Sequence, residues 1–271
     1  MQGVKFNMKK RQKLSHQEYK NFLLRTLINF DKICRENNIS YSLAYGSMLG
    51  AVRHHGFIPW DDDVDILMLR DEYEKFVKIW NKNNNVLKDN YELWGIDDER
   101  NFFYGHLVKF FDKNTVLIEK TKNHIIKYGV FIDIFILEDI SSNIKIAEKQ
   151  QKKYKFYRKL LSHFYKHGRY LNFLAKKIST KIPSTYFFID KLKNITKQEK
   201  SEYVSVYAPI DKILYKREYF NNIIYFPFEG YMFPVSAQYD TLLKQQYGNY
   251  MILPPEEERK GHNVEAYIYE S

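Results

Sequence analysis

Residues 46–69, GSMLGAVRHHGFIPWDDDVDILML, put four aspartates, Asp61, Asp62, Asp63 and Asp65, in front of and inside a run that otherwise reads as a buried hydrophobic strand. Like charges about 4 Å apart repel by roughly 4 kcal/mol per pair at an effective dielectric near 20. Something must compensate them. Alternate side chains of a strand share a face, so Asp63 and Asp65 project together, about 6.6 Å apart along the chain, while Val64 and Ile66 face the core. Asp61 at the strand entrance reaches the same side, whereas Asp62 is expected to point away, toward solvent or as a supporting group.

A further acid, Asp133, stands alone in VFIDIFI (130–136), where an unpaired carboxylate costs several kcal/mol. If the strand 129–137 lies beside the aspartate strand, Asp133 comes within about 5 Å of one of the paired acids. Three carboxylates at that separation stay ionised only when a cation compensates them. Hard oxygen donors without soft partners suit Mg²⁺ or Mn²⁺, the former completing its shell with water and substrate phosphates. The rival reading, in which the aspartates cap a helix or pair with lysines, leaves Asp133 unexplained.

Working outward, Ser15 to Glu18 forms a capping box with Leu14 and Tyr19 as its hydrophobic staple. Apolar residues then recur at helical spacing from Tyr19 to Cys34. ISYSLAY (39–45) alternates as a strand, Gly46-Ser47 closes it, and MLGAVRH reads as a short helix. Asp71 with Glu74 repeats the capping signal before a helix carrying Tyr73, Phe76, Val77 and Trp80. Further strands are expected at 91–96, 102–111, 115–119 and 129–137. The fold class is therefore α+β, with a mixed sheet core over residues 1–140, a basic helical segment over 141–205, and a tyrosine-rich, irregular region over 206–271.

The 271 residues, 44% of them hydrophobic, suffice for one large domain or two smaller ones. The single cysteine, Cys34, excludes an intramolecular disulfide and a cysteine zinc cage, and reads as a buried thiol. MQGVKFNMKKRQKL lacks an apolar segment behind its basic residues, and no apolar run approaches membrane-spanning length, so a cytosolic protein is expected. The net charge of +10 is concentrated in residues 144–200, where sixteen Lys and Arg face only Glu148, Asp190 and Glu199, a net +13. Interleaved with Tyr154, Phe156, Tyr157, Leu160, Leu161, Phe164 and Tyr165, this charge suits an anionic lipid surface or polyanionic acceptor; the alternative is a solvated helical face over ordinary core residues. A nucleic-acid partner is not expected, since it leaves the aspartates without a role.

Gly46-Ser47 after a strand offers backbone amides to a phosphate. The order strand, Gly-Ser, Asp-x-Asp, and a later acid in a hydrophobic strand resembles the nucleotidyltransferase superfamily, whose polymerase-beta-like core holds divalent metals on three carboxylates. YSLAYGSMLGAVRHHGFIPWDDDVDI, GVFIDIFILED, EGYMFPV and YDTLLKQQYGNYMILPPEEER resemble more closely the LicD family, related to fukutin, over residues 15 to 262. Ile136 stands where that family often has proline, and the proline it keeps near Ser236 is missing here.

The resemblance implies transfer of phosphocholine from CDP-choline, releasing CMP, to a sugar hydroxyl of a lipid-linked teichoic acid or lipopolysaccharide glycan at the inner face of the plasma membrane. Ribitol or glycerol phosphate from another CDP-alcohol, or nucleotidyl transfer from an NTP, are the alternatives. By position it makes Asp63, Asp65 and Asp133 the catalytic, metal-binding triad, Asp61 an additional ligand or a supporting acid, and Gly46, Ser47, Arg53 and His262 substrate-binding residues; Lys109, a positive group near the site, reads as substrate-binding through charge neutralisation of the transferred phosphate. For Lys109 the alternative is an edge lysine that blocks strand pairing. His54 reads as a loop-orienting hydrogen-bonding residue, and Phe57 and Trp60 as packing beneath the loop, although a Trp face also attracts a quaternary ammonium. The C-terminal tyrosines offer material for an aromatic cage that the sequence does not locate.

Overall fold

The capping box forms as expected: Ser15 Oγ accepts from the Glu18 amide (3.3 Å) and Glu18 Oε2 accepts from the Ser15 amide (2.7 Å). It opens α1 (His16–Glu36), whose inner face buries Tyr19, Leu23, Leu27, Phe30, Ile33 and Cys34. In this computed structural model the described residues are 11–82, 86–95, 108–120, 125–177, 185–197, 199–207, 213–261 and 265–269. Before α1 lies β1 (Arg11–Lys13). After it come β2 (Ser42–Leu43), α2 (Tyr45–His54), β3 (Asp65–Leu69), α3 (Arg70–Trp80), β4 (Tyr91–Trp94), β5 (Val108–Lys120) and β6 (Ile125–Ile140). The chain continues through α4 (Ile144–Lys177), α5 (Thr185–Thr196), β7 (Tyr203–Val206), β8 (Tyr215–Lys216), the hairpin β9 (Ile223–Phe228) and β10 (Tyr231–Ser236), α6 (Tyr239–Tyr247) and β11 (Ala266–Tyr269).

Among the described residues the main sheet runs β1-β11-β5-β6-β3-β2, with β4 added to β5 and β7-β8 to the far end of β6. The mixed sheet and its helices make the chain α+β. Only β3 and β6 pair in parallel among the pairings described, joining Asp65 to Asp133 and Leu69 to Leu137. Helix α1 packs across β5 and β6, and α3 across β3 and β6, so these strands lie deep in the principal core. Val64, Ile66, Leu67, Met68, Ile132 and Ile134 are all essentially inaccessible to solvent.

Several local readings need correction. The strand expected over 39–45 is two residues long, because Ser42 and Ala44 are buried like Tyr41 and Leu43 and the chain turns into α2 at Tyr45. Gly46-Ser47 lies inside the first turn of α2, not in a strand-closing turn. Leu69, not Asp71, is the residue before α3, and it makes no side-chain cap; Asp71 instead pairs with Lys200 (2.8 Å). The two strands expected at 102–111 and 115–119 are one strand, β5, as far as the described residues from Val108 extend. Its register against β6 shifts between Asp112 and Leu117. Thr115 Oγ1 bridges this bulge, donating to Asp112 O (2.9 Å) and accepting from the Val130 amide (2.7 Å). Opposite it, a Cβ on Gly129 would come 1.8 Å from Asp112 O, so only glycine fits.

The last third is more regular than expected, holding a hairpin, a helix and a strand that inserts between β1 and β5. In the basic segment, Tyr154 and Leu161 of α4 turn inward against Phe188, Ile189 and Leu192 of α5 to build a second core over β6 and β7. Among the described aromatic side chains expected at a lipid surface, Phe156 is the exposed one, at 58%.

Candidate active site

The acids are placed by backbone pairing. The Ala44 amide donates to Asp65 O (2.9 Å), the Asp65 amide to Ser47 Oγ (3.0 Å), and the Asp133 amide to Val64 O (2.9 Å). With Asp65 opposite Asp133 on neighbouring parallel strands, their Cα atoms are about 4.8 Å apart and their side chains share one face. Strand β3 starts at Asp65, so Asp63 lies just before it. Asp61, Asp63 and Asp65 all line one cleft of about 690 Å³. Burial, then Asp63, Asp133 and Asp61, push the Asp65 carboxyl well above the usual carboxylate range, and Lys109 opposes them.

Lys109 is therefore internal. Its register partners are Trp94 on β4 and Asp133 on β6, which excludes the edge-strand alternative. It is 3% exposed, its Nζ donates to Asp133 Oδ1 at 2.7 Å, and it sits 3.5 Å from the Phe131 ring centroid. In this geometry Lys109 is the built-in counter-charge of the acid cluster.

The other expected residues divide by what they touch. Gly46 makes room for Asp61: a Cβ there would lie 2.3 Å from Asp61 Oδ2. Ser47 is buried, and its hydroxyl anchors the start of β3. Arg53 lines the cleft, but its Nη1 donates to the Tyr250 carbonyl at 2.5 Å, tying α2 to the 247–255 segment; burial lowers its pKa. His54 accepts from Arg53 Nε (3.4 Å) and meets Trp60 edge-on, as a loop-orienting residue would. Phe57 packs on Phe228 (4.8 Å), and Trp60 lines the cleft. Asp62 does not face solvent: it is 5% exposed and lies against Gly261, where a Cβ would come 3.1 Å from Oδ2. His262 lies outside the described residues.

Sequence reasoning missed the braces on the loop between α2 and β3. Glu229, at the tip of the β9–β10 hairpin with φ +50°, accepts from the Phe57 amide (2.9 Å) and donates its own amide to His55 O (3.0 Å). Lys20 of α1 donates to the carbonyls of Ile58 (3.3 Å) and Pro59 (3.4 Å), and the Tyr19 hydroxyl to that of Asp62 (3.1 Å). The only local signal was Glu229-Gly230, a turn pair in the sequence. The cleft wall from Tyr247 to Pro255 falls within the resembling segment 239–259, but no spacing there pointed to the cleft.

The donor set is one of hard carboxylate oxygens, as a hard cation takes: burial first, then Asp63, Asp133 and Asp61, raise the proton affinity of Asp65, and the Asp61 carboxylate fills the space that Gly46 leaves. Among the described residues no three Asp, Glu, His or Cys side chains are yet gathered around one point as ligands, and Asp133 spends Oδ1 on Lys109.

Replacing Lys109 by methionine keeps its length and removes its charge. The variant should lose about 3–5 kcal/mol of stability in urea unfolding at neutral pH, the cost of leaving a buried partner uncompensated; a change below 1 kcal/mol would show that the pair carries no weight.

The family model described as the LicD/FKTN/FKRP nucleotidyltransferase domain matches residues 38–128, which hold Gly46, Arg53, the four aspartates and Lys109. The chain is 35% identical over 272 aligned residues to the lipopolysaccharide cholinephosphotransferase LicD of Haemophilus influenzae, covering 94% of this chain and 99% of that one. Two uncharacterized proteins, from Rickettsia typhi and Rickettsia prowazekii, are 44% and 46% identical over 48 and 41 residues, a span of 18% and 15% of this chain. With a whole-length relative and a matching domain, the chain belongs to the LicD family.

Proposed function

We propose that this protein is a transferase that moves phosphocholine from CDP-choline to a sugar hydroxyl of a lipopolysaccharide or related lipid-linked glycan precursor. The observation that carries this reading is the pairing of Asp65 with Asp133 beside a cleft lined by Asp61 and Asp63, in a chain 35% identical to a cholinephosphotransferase. The acceptor oxygen attacks the phosphorus that bears choline, forming a new P–O bond. The bond from that phosphorus to the bridging oxygen breaks, and CMP departs with the oxygen. The hydroxyl proton passes to whichever carboxylate of the cluster lies nearest the attacking oxygen, Asp133 among them.

Asp61, Asp63, Asp65 and Asp133 would hold Mg²⁺ or Mn²⁺, which neutralises charge on the donor diphosphate and acidifies the attacking hydroxyl. Lys109 keeps Asp133 oriented, and Arg53 adds positive charge to the cleft wall. In this reading residues 1–140 form a nucleotidyltransferase-like core, 141–205 the basic helical segment, and 206–271 the region that completes the cleft. No helix among the described residues is long and apolar enough to cross a membrane. The exposed Lys145, Lys149, Lys152, Lys153, Lys155 and Lys159 of α4 support peripheral attachment to the anionic inner face of the plasma membrane.

The Asp63→Asn, Asp65→Asn double variant should lose CMP release from CDP-choline by more than about a hundredfold while the wild type shows it with CDP-choline and not with CDP-ribitol; wild-type turnover in the variant refutes the reading. Membrane attachment is tested by sedimentation with phosphatidylglycerol vesicles. Binding should weaken when Lys152, Lys153 and Lys155 become glutamate and with rising salt; identical pelleting of both proteins removes α4 as the contact.

A further inference from the structure

At Tyr45 the chain leaves β2 and enters α2 with φ +44°, a left-handed conformation that glycine or asparagine adopts without strain and tyrosine does not. Strain of this kind persists where the surrounding structure enforces it, and it gathers at ligand sites. The ring is held as well as the backbone: it meets Phe135 edge-on, with centroids 5.0 Å apart. Phe135 stands two residues after Asp133 on β6, on the same face. Tyr45 lines the cleft with Asp61, Asp63 and Asp65, and its neighbour Gly46 lies against the Asp61 carboxylate. A strained backbone thus fixes an aromatic ring beside the acids.

Two other rings of the cleft are already engaged. Trp60 already has the Arg259 guanidinium 5.4 Å over its ring. Tyr250 is 8% exposed and donates its hydroxyl to Asp240 at 2.9 Å. Tyr247, at the end of α6, belongs to the C-terminal wall.

We propose that Tyr45 binds the quaternary ammonium of the transferred alcohol by cation–π contact and so selects choline over ethanolamine. The inference rests on the donor reading above. In CDP-choline the ammonium is separated from the reacting phosphorus by only an ester oxygen and two methylene groups, whereas cytosine lies beyond a second phosphate and a ribose. A ring joined to the carboxylate cluster therefore meets the ammonium end. A trimethylammonium has no N–H to donate and spreads its charge over methyl groups, which suits an aromatic face; a primary ammonium is better served by water or carboxylate.

Titration calorimetry of CDP-choline and CDP-ethanolamine in the presence of Mg²⁺ tests this on wild type, Tyr45→Phe and Tyr45→Leu. The wild type should bind CDP-choline more tightly, and Tyr45→Phe should keep that preference. Tyr45→Leu, also unbranched at Cβ, should weaken CDP-choline by roughly tenfold and CDP-ethanolamine far less, so that the ratio collapses. Equal weakening of both donors, or no weakening, overturns the inference, since a merely structural residue would not alter the ratio. A wild type that binds CDP-choline while Tyr45→Leu leaves the ratio intact removes this inference alone; a wild type that binds neither nucleotide removes the donor reading with it.

Discussion

The parallel pairing of β3 with β6 is the constraint on which the rest depends. It sets Asp65 directly opposite Asp133 inside a sheet, where two charges about 5 Å apart repel by roughly 3 kcal/mol at an effective dielectric of 20. The strands tolerate this because the residues that follow, Ile66 to Met68 on one and Ile134 to Leu137 on the other, are buried apolar side chains that fix the register. A slip of one residue would drive Ile66 among the acids and Asp65 into the core. Lys109, delivered by the antiparallel neighbour β5 at the same level, offsets part of the repulsion.

Around this pair the cleft is assembled from distant parts of the chain. The loop carrying Asp61 to Asp63 is held from below by Lys20 and Tyr19 of α1, from one side by Glu229 at a hairpin tip, and at Asp62 by Gly261. Arg53 closes the ring through the Tyr250 carbonyl. The C-terminal region therefore shapes the site and adds Glu258 and Lys260 to its lining, and its integrity should govern the geometry of the loop.

What was legible in the sequence was local or chemically costly. The capping box of α1 could be read because its partners are three residues apart. Asp133 could be read because a carboxylate among Val130, Phe131, Ile134 and Phe135 demands an explanation. Tertiary contacts overrode weaker local signals. Asp71 resembles a cap, but Lys200 and Arg217 engage its carboxylate. Gly46-Ser47 resembles a phosphate-binding turn, yet Ser47 turns inward to the Asp65 amide. The bulge at Asp112 to Thr115 mimics a hairpin turn because its polar residues satisfy one another within a continuous strand. Neither the strain at Tyr45 nor the wall from Tyr247 to Pro255 leaves a periodic trace, since backbone sign and long-range contact are not encoded in residue spacing.

The central physical claim is that carboxylates from β3 and β6 act on one divalent ion. Electron paramagnetic resonance of Mn²⁺ titrated into the protein measures this without substrate or turnover. The account predicts saturable uptake by the wild type, displaced by Mg²⁺, and at least tenfold weaker uptake in Asp65→Asn and in Asp133→Asn variants that remain folded. Equal Mn²⁺ uptake by all three proteins, or none by the wild type, would contradict it.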